Sequence, residues 1–245
     1  MLEGLRTAAA GMAAQQTKLD AVANDLANAN TTGYKRVRVG FSDLLYEQAG
    51  RPAAQGVEVG TGARAVQAGR GFEQGALRDT GNPLDVAIQG QGFLRVRLTD
   101  GREALTRDGA LHMDADRRLV TASGGVVQPA ITIPRGVSED DISITRNGTV
   151  VAAGRTVGRL AVVTVRSPQG LQAAGDNAFV ATPASGNAVA APGSTSLLQG
   201  ALEGSNTDMA SAMVDMIDAQ RTYQLTSKAI QTADQMMEIA NGVKR

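Results

Sequence analysis

The chain has 245 residues, with 24 basic and 24 acidic side chains, 3% aromatics, no tryptophan, no cysteine and 29 glycines. Zero formal net charge excludes bulk electrostatic attraction to nucleic acid or to an anionic membrane surface, and the lack of cysteine excludes disulfides, thiolate metal sites and a thiol nucleophile. A chain of this length buries roughly 70–75% of its unfolded surface in one or two domains, and with so few aromatics that core is expected to be aliphatic.

The first predicted element is a helix from about Leu2 to Asn28. Leu5, Met12, Leu19 and Leu26 recur every seven residues, and Leu2, Ala9, Gln16 and Ala23 lie three residues before each. The run Asn28-Ala29-Asn30-Thr31-Thr32-Gly33 supplies the stop, with Gly33 free to take positive φ. At ~1.5 Å per residue the helix is about 40 Å long. Glu3 and Arg6 interrupt the N-terminus and its longest apolar run is only Ala8 to Ala14, so it does not read as a secretory signal, and no stretch reaches the ~18 apolar residues of a membrane span. Export, where it occurs, is expected to proceed without a cleaved signal.

Beyond Tyr34 the pattern changes. Lys35, Arg36 and Arg38 lie between Tyr34 and Phe41, but Asp43 and Glu47 follow, so the cluster reads as a solvated helix exit or subunit contact. Ser42 to Gly60, with Gly50, Pro52 and Gly56 and little periodicity, reads as a hinge or extended linker. Short alternating segments then punctuated by turn dipeptides predict antiparallel hairpins. Phe93 to Leu98 is followed by Asp100-Gly101, and Asp108-Gly109, Gly124-Gly125 and Asn147-Gly148 recur along the chain. Ile131 to Ile133, Ile142 to Ile144 and Leu160 to Val165 are strand-like, and Thr182 to Thr195 reads as a surface loop. Regular spacing of such units predicts an all-β domain.

The β region offers little chemistry. His112 is the single histidine and sits in an alternating strand. Asp114-Ala115-Asp116 begins like a calcium loop, but Arg118 and Gly125 would occupy ligand positions five and twelve, so a turn is expected. The glycines at 60, 62, 69, 71 and 75 form no phosphate-binding pattern. No catalytic residue, cofactor site or metal site is predicted.

The last predicted element is a helix from about Thr207 to Val243. Ser205 or Asn206 is its expected cap, with Asp208 completing a near-match to a capping box and Lys244-Arg245 beyond its end. Met209, Met216, Tyr223, Ile230 and Met237 recur every seven residues, and Ala212, Ala219, Thr226, Ala233 and Ala240 lie three after each. Both ends therefore pair a bulky row with a mostly small row, the pattern of a coiled-coil seam. The predicted fold is α+β: long N- and C-terminal helices forming a paired coiled-coil domain (residues 1–33 and 205–245), a linker or extended segment (34–62), and a mostly-β domain (63–204). Leu5, Met12, Leu19, Leu26, Met209, Met216, Tyr223, Ile230 and Met237 are the candidate assembly interface. Two readings follow: a self-assembling structural subunit, or a β-domain binding module with a helical dimerisation stalk.

Four motifs sharpen that choice. Ala23 to Lys35 (ANDLANANTTGYK) resembles the N-terminal signature of bacterial flagellar basal-body rod and hook proteins. Asp85 to Phe93 (DVAIQGQGF) resembles the start of their β domain, and Leu105-Thr106-Arg107-Asp108-Gly109 with Leu119-Val120 resembles their hairpin motif. Leu202-Glu203-Gly204-Ser205-Asn206, leading into Met213 to Met237, is similar to their C-terminal helix. The segments 219–223 and 227–236 look most like subunits of the distal rod, with proximal-rod and hook subunits as alternatives. Distal-rod subunits carry a longer stretch where only Glu47 to Glu58 stands here. The resemblance implies a non-enzymatic homo-oligomer that polymerises into a helical tube transmitting motor torque. Its implied partners are other rod and hook subunits, ring proteins around the rod and the flagellar type III export apparatus, with no nucleic acid. Its implied place is the basal body in the cell envelope.

Overall fold

A computed structural model describes residues 2–44, 46–49, 57–60 and 62–242. Gly50, Pro52 and Gly56 of the expected linker, Lys244-Arg245, and the side chains of Leu2 and Ala240 lie outside the described set. The chain divides into two compact units, one of residues 1–27, 37–68 and 208–245, the other of residues 28–36 and 69–207.

The first unit holds α1 (Leu2–Ala27), a ribbon of strands and the C-terminal helix. Alanine and leucine dominate α1, residues that lose little freedom in a helix. Between the helices in sequence come β1 (Val37–Asp43), β2 (Tyr46–Ala49), β3 (Val57–Gly60) and β4 (Ala63–Arg70). β1 pairs with β4, and β2 pairs antiparallel with β3 in the register Tyr46↔Gly60 to Ala49↔Val57. Of the stretch expected to be a hinge or an extended linker, residues 42–43, 46–49 and 57–60 are strand. Alternation at Val37, Val39 and Phe41 and again at Val57 and Val59 carries the strand signal that the glycines had masked. The ribbon lies against α1. Thr7 Oγ1 donates to Gly60 O at 3.3 Å, Val37 N donates to Asp25 Oδ1 at 3.0 Å, and a Cβ on Gly62 would stand 3.1 Å from Ala10 Cβ.

The C-terminal helix, α2, spans Met209–Gly242. Its cap is Asp208, two or three residues later than expected: Asp208 carboxylate oxygens accept from Ala210 N and Ser211 N, and from Ser211 Oγ. Those bonds to the charged form, the one from Ser211 Oγ foremost, hold the Asp208 carboxyl below the ordinary aspartate range. Ser205 Oγ instead accepts from Thr207 N at 3.1 Å, in the turn before the helix.

In the second unit the strands run β5 (Leu77–Asp79), β6 (Val86–Gln89), β7 (Phe93–Arg97), β8 (Glu103–Thr106), β9 (Leu111–Met113), β10 (Leu119–Thr121) and β11 (Val126–Val127). They continue as β12 (Ile142–Ile144), β13 (Thr149–Ala152), β14 (Arg155–Arg159), β15 (Val162–Thr164), β16 (Gln172–Gly175), β17 (Ala178–Val180), β18 (Val189–Ala190), β19 (Ser196–Gln199) and β20 (Ala201–Glu203). The main sheet runs β16-β17-β8-β7-β11-β10-β9, with β15 between β7 and β18. β12-β13-β14 form a meander, and the last strands return to the first, β19 on β6 and β20 on β5.

Turns at Asp100-Gly101, Gly124-Gly125 and Asn147-Gly148 are hairpin turns, each with a glycine at positive φ. Asp108-Gly109 is not. Gly109 has no positive φ, and its Cα packs on the backbone of Val86, where a Cβ would fall 1.7 Å from Val86 O. That glycine serves a close approach, with Val86 N donating to Gly109 O at 3.0 Å. The larger core is aliphatic, built around Leu94, Val96, Leu119, Val127, Ile131 and Val150. A second, smaller cluster is aromatic, with Phe72, Phe93 and Phe179 stacked edge to face at 5.3–6.4 Å.

Candidate functional site

Within the first unit α1 and α2 lie side by side, joined by a Lys18–Asp215 ion pair at 3.3 Å. Leu5, Met12, Leu19 and Leu26 are half-buried on α1, as are Met216, Ile230 and Met237 on α2, whereas Met209 and Tyr223 are exposed. The deepest apolar positions are small: Ala14 on α1, and Ala212 and Ala219 on α2, the last only 1% exposed. Leu19, Ala219 and Tyr223 line one cleft with Gln15, Gln16 and Gln224. The companion row on α1 differs from the sequence pattern. Ala9, Gln16 and Ala23 are the more exposed, while Ala8, Gln15 and Val22, three residues after Leu5, Met12 and Leu19, are half-buried.

α2 also carries most of the uncovered apolar surface. Of eleven exposed large hydrophobic side chains among the described residues, eight are on this helix. Val214, Ile217, Leu225, Met236 and Ile239 follow helical spacing on the side opposite Ala212 and Ala219. A helix with apolar residues on opposing sides belongs inside an assembly.

The second unit contains a feature that the sequence pattern did not reveal. Lys35, expected to be solvated, is 0% exposed, and so is Glu203. Lys35 Nζ donates to Glu203 Oε1 at 2.6 Å and to Glu73 O at 2.7 Å. Arg107 Nη1 donates to Glu203 Oε2 at 2.8 Å, and its Nη2 to Gly90 O at 2.6 Å. Gly75 N also donates to Glu203 Oε1 at 2.8 Å. Burial lowers the proton affinity of Lys35 below the ordinary lysine value, against the opposing pull of Glu203. Around this cluster Gly33 N donates to Glu203 O at 2.8 Å, Arg36 N to Asn206 Oδ1 at 2.8 Å, and Asn206 Nδ2 to Gly71 O at 2.7 Å. The segment that follows α1 in sequence and the segment that precedes α2 are thus stitched to each other and to one β scaffold. The available sequence signal was period two in β20, which puts Glu203 on the buried face with Ala201.

Other charged candidates are satisfied locally. Asp114 Oδ1 and Oδ2 accept from Arg118 N and Nε at 2.7 and 2.8 Å, closing the β9–β10 turn that had the outline of a calcium loop. His112 is exposed on β9 opposite Val120. Among the described residues no cluster of histidine, aspartate or glutamate has the arrangement of a metal site, and no helix is long and apolar enough to cross a membrane.

Three family models match the chain. One described as flagella basal body rod protein covers residues 5–35, the flagellar hook protein FlgE/F/G D1 domain covers 87–152, and the flagellar basal body rod FlgEFG protein C-terminal covers 198–243. The buried cluster takes one residue from each: Lys35, Arg107 and Glu203. Over its full length the chain is 43% identical to the flagellar basal-body rod protein FlgG of Borreliella burgdorferi, all of which is covered. It is 40% identical to the FlgG of Caulobacter vibrioides, over 99% of this chain and 100% of that one. It is 32% identical to the flagellar hook-basal body complex protein FlhP of Bacillus subtilis, with both chains covered completely. The alignment with the Borreliella protein runs over 264 positions against 245 residues here, so that relative carries residues this chain lacks.

Proposed function

The chain belongs to the family of flagellar basal-body rod proteins, and from that premise we propose that it is a distal-rod subunit whose terminal helices build a torque-bearing tube. It is a structural subunit of the rod and not an enzyme. The carrying observation is the concentration of uncovered apolar side chains on α2, eight of eleven among the described residues. In the assembled rod, copies of α1 and α2 cover that surface in a coiled-coil-like wall. Leu5, Met12, Leu19, Leu26, Met209, Met216, Tyr223, Ile230 and Met237 contribute the knobs, all half-covered in the single chain except the exposed Met209 and Tyr223. Contacts of this kind are heterologous, and when their rotation does not close they generate a helical polymer. Other rod and hook subunits continue the polymer at its ends, ring proteins surround it, and the flagellar export apparatus delivers the chain without cleaving a signal.

Leu19→Asp tests the proposal, because it puts a charge into the cleft that Leu19 shares with Ala219 and Tyr223 without touching the second unit. The purified variant should keep the β-sheet circular dichroism of the wild type and fail to restore rods or swimming in a strain lacking the gene. Restoration of normal rods would remove this face from the assembly.

A further inference from the structure

We propose that Glu203 is a closing latch: its carboxylate is the counter-charge without which residues 31–36 cannot dock, so the N-terminal stem takes its place only after the C-terminal stem has. The argument starts from the charge count of the buried cluster. Two cations, Lys35 and Arg107, converge on one anion, and all three are at most 3% exposed at the side chain. Removing Glu203 leaves an ammonium and a guanidinium side by side, away from water, with only carbonyl oxygens to accept their protons. Burying an unpaired charge is among the costliest changes a fold can accept. Glu73 cannot substitute, because its side chain is 77% exposed and turned toward Arg36. Lys35 lies on the segment that must dock, and the same segment takes two further bonds from the C-terminal stem, Gly33 N to Glu203 O and Arg36 N to Asn206 Oδ1.

The order of the chain gives the latch its direction. Glu203 follows Lys35 by 168 positions, so a chain emerging N-terminus first has made nearly every strand of the β unit before the counter-charge arrives. Until then Lys35 is more stable in water than in its site, and the stem stays free. The charge balance also makes the two ends unequal. Without Lys35, Glu203 and Arg107 remain a matched pair; without Glu203, nothing is matched. The latch is a property of the single chain, and its consequence for timing the presentation of α1 rests on the rod-subunit reading above.

Hydrogen exchange read by mass spectrometry on the full-length monomer tests this, with Glu203→Gln, Lys35→Met and the double variant. Glu203→Gln should speed exchange at residues 31–36 on the order of 100-fold or more while β7 keeps its protection. Lys35→Met should change it by less than about 10-fold, because one matched pair survives. The double variant should lie nearer to Lys35→Met than the sum of the singles predicts. Should Glu203→Gln unfold the whole unit, adding Lys35→Met must recover part of its stability, since one of the two unmatched buried cations has been removed while Arg107 remains. Equal effects of the two single variants, strict additivity, or unchanged protection in Glu203→Gln would each overturn the latch. No polymer enters the measurement, so its failure leaves the rod reading standing, and a failure of the Leu19→Asp test leaves the latch standing.

Discussion

Gly33 and Gly81 form a matched pair that isolates what close packing at the N-terminal stem contributes. Both have φ of +68°, so alanine at either position bears the same left-handed backbone cost, about 1 kcal/mol. Their surroundings differ. Around Gly81 nothing lies within 4 Å of a new Cβ, whereas at Gly33 the Cβ would stand 2.7 Å from Asp108 N and 2.9 Å from Arg107 C. Those are backbone atoms of the segment that carries the buried arginine, and they cannot turn aside as a side chain would. Overpacking of this sort adds about 1–3 kcal/mol. Gly33→Ala should therefore cost about 3 kcal/mol and Gly81→Ala about 1 kcal/mol. The difference is roughly 30-fold in the unfolding equilibrium, against a typical total of about 5–15 kcal/mol. Urea unfolding followed by sheet ellipticity measures both, provided the two variants share the wild-type slope. If the two midpoints coincide, the stem is not packed against residues 107–108 and the account of Gly33 is wrong.

Two further outcomes concern charge. Asp208→Ala removes the acceptor for Ala210 N and Ser211 N, so the first turn of α2 should fray, read as lost amide protection at residues 210–212 with the middle of the helix unchanged. Asp108 is held above the ordinary aspartate range, first by burial and then by the nearby Asp85 carboxylate, against a bond from Ala110 N. A carboxyl raised in the folded state destabilises the fold above that raised value and is relieved as pH falls toward the unfolded value. Asp108→Asn keeps an oxygen for Ala110 N and should melt higher than wild type at neutral pH, with the gap closing on acidification through the carboxylate range. A gap that widens as pH falls would reverse the sign of the argument.

The helices and most hairpins were legible because their signals are local. Seven-residue recurrence from Leu5 to Leu26 and positive-φ glycines at 101, 124 and 148 need no knowledge of distant chain. The ribbon from Val37 to Arg70 was hidden because glycine and proline content outweighed a short alternation. Asp108-Gly109 misled because one dipeptide serves two purposes, a hairpin turn or a close approach, and only the presence of Val86 beside it decides. The buried cluster was illegible for a different reason. Lys35 sits in a run of exposed-looking basic residues, and its partner is 168 positions away. The motif resemblances marked all three of its residues, but not that they meet.

The helical rows show where periodicity stops being informative. A heptad of bulky residues leaves the same mark whether its partner is in the same chain or in the next one. Small residues break the tie, because they set how closely two backbones approach. Within this chain the closest burial falls on Ala14, Ala212 and Ala219, so the bulky rows flank the contact and remain half-covered or, at Met209 and Tyr223, exposed. A seam designed only for one chain would turn those rows inward and leave a polar exterior. Here Val214 and Leu225 are 67% and 70% exposed on the side away from Ala219. That distribution is costly for a lone helix pair and favourable for one surrounded by copies of itself, which is why the single chain resembles part of a wall more than a finished coiled coil.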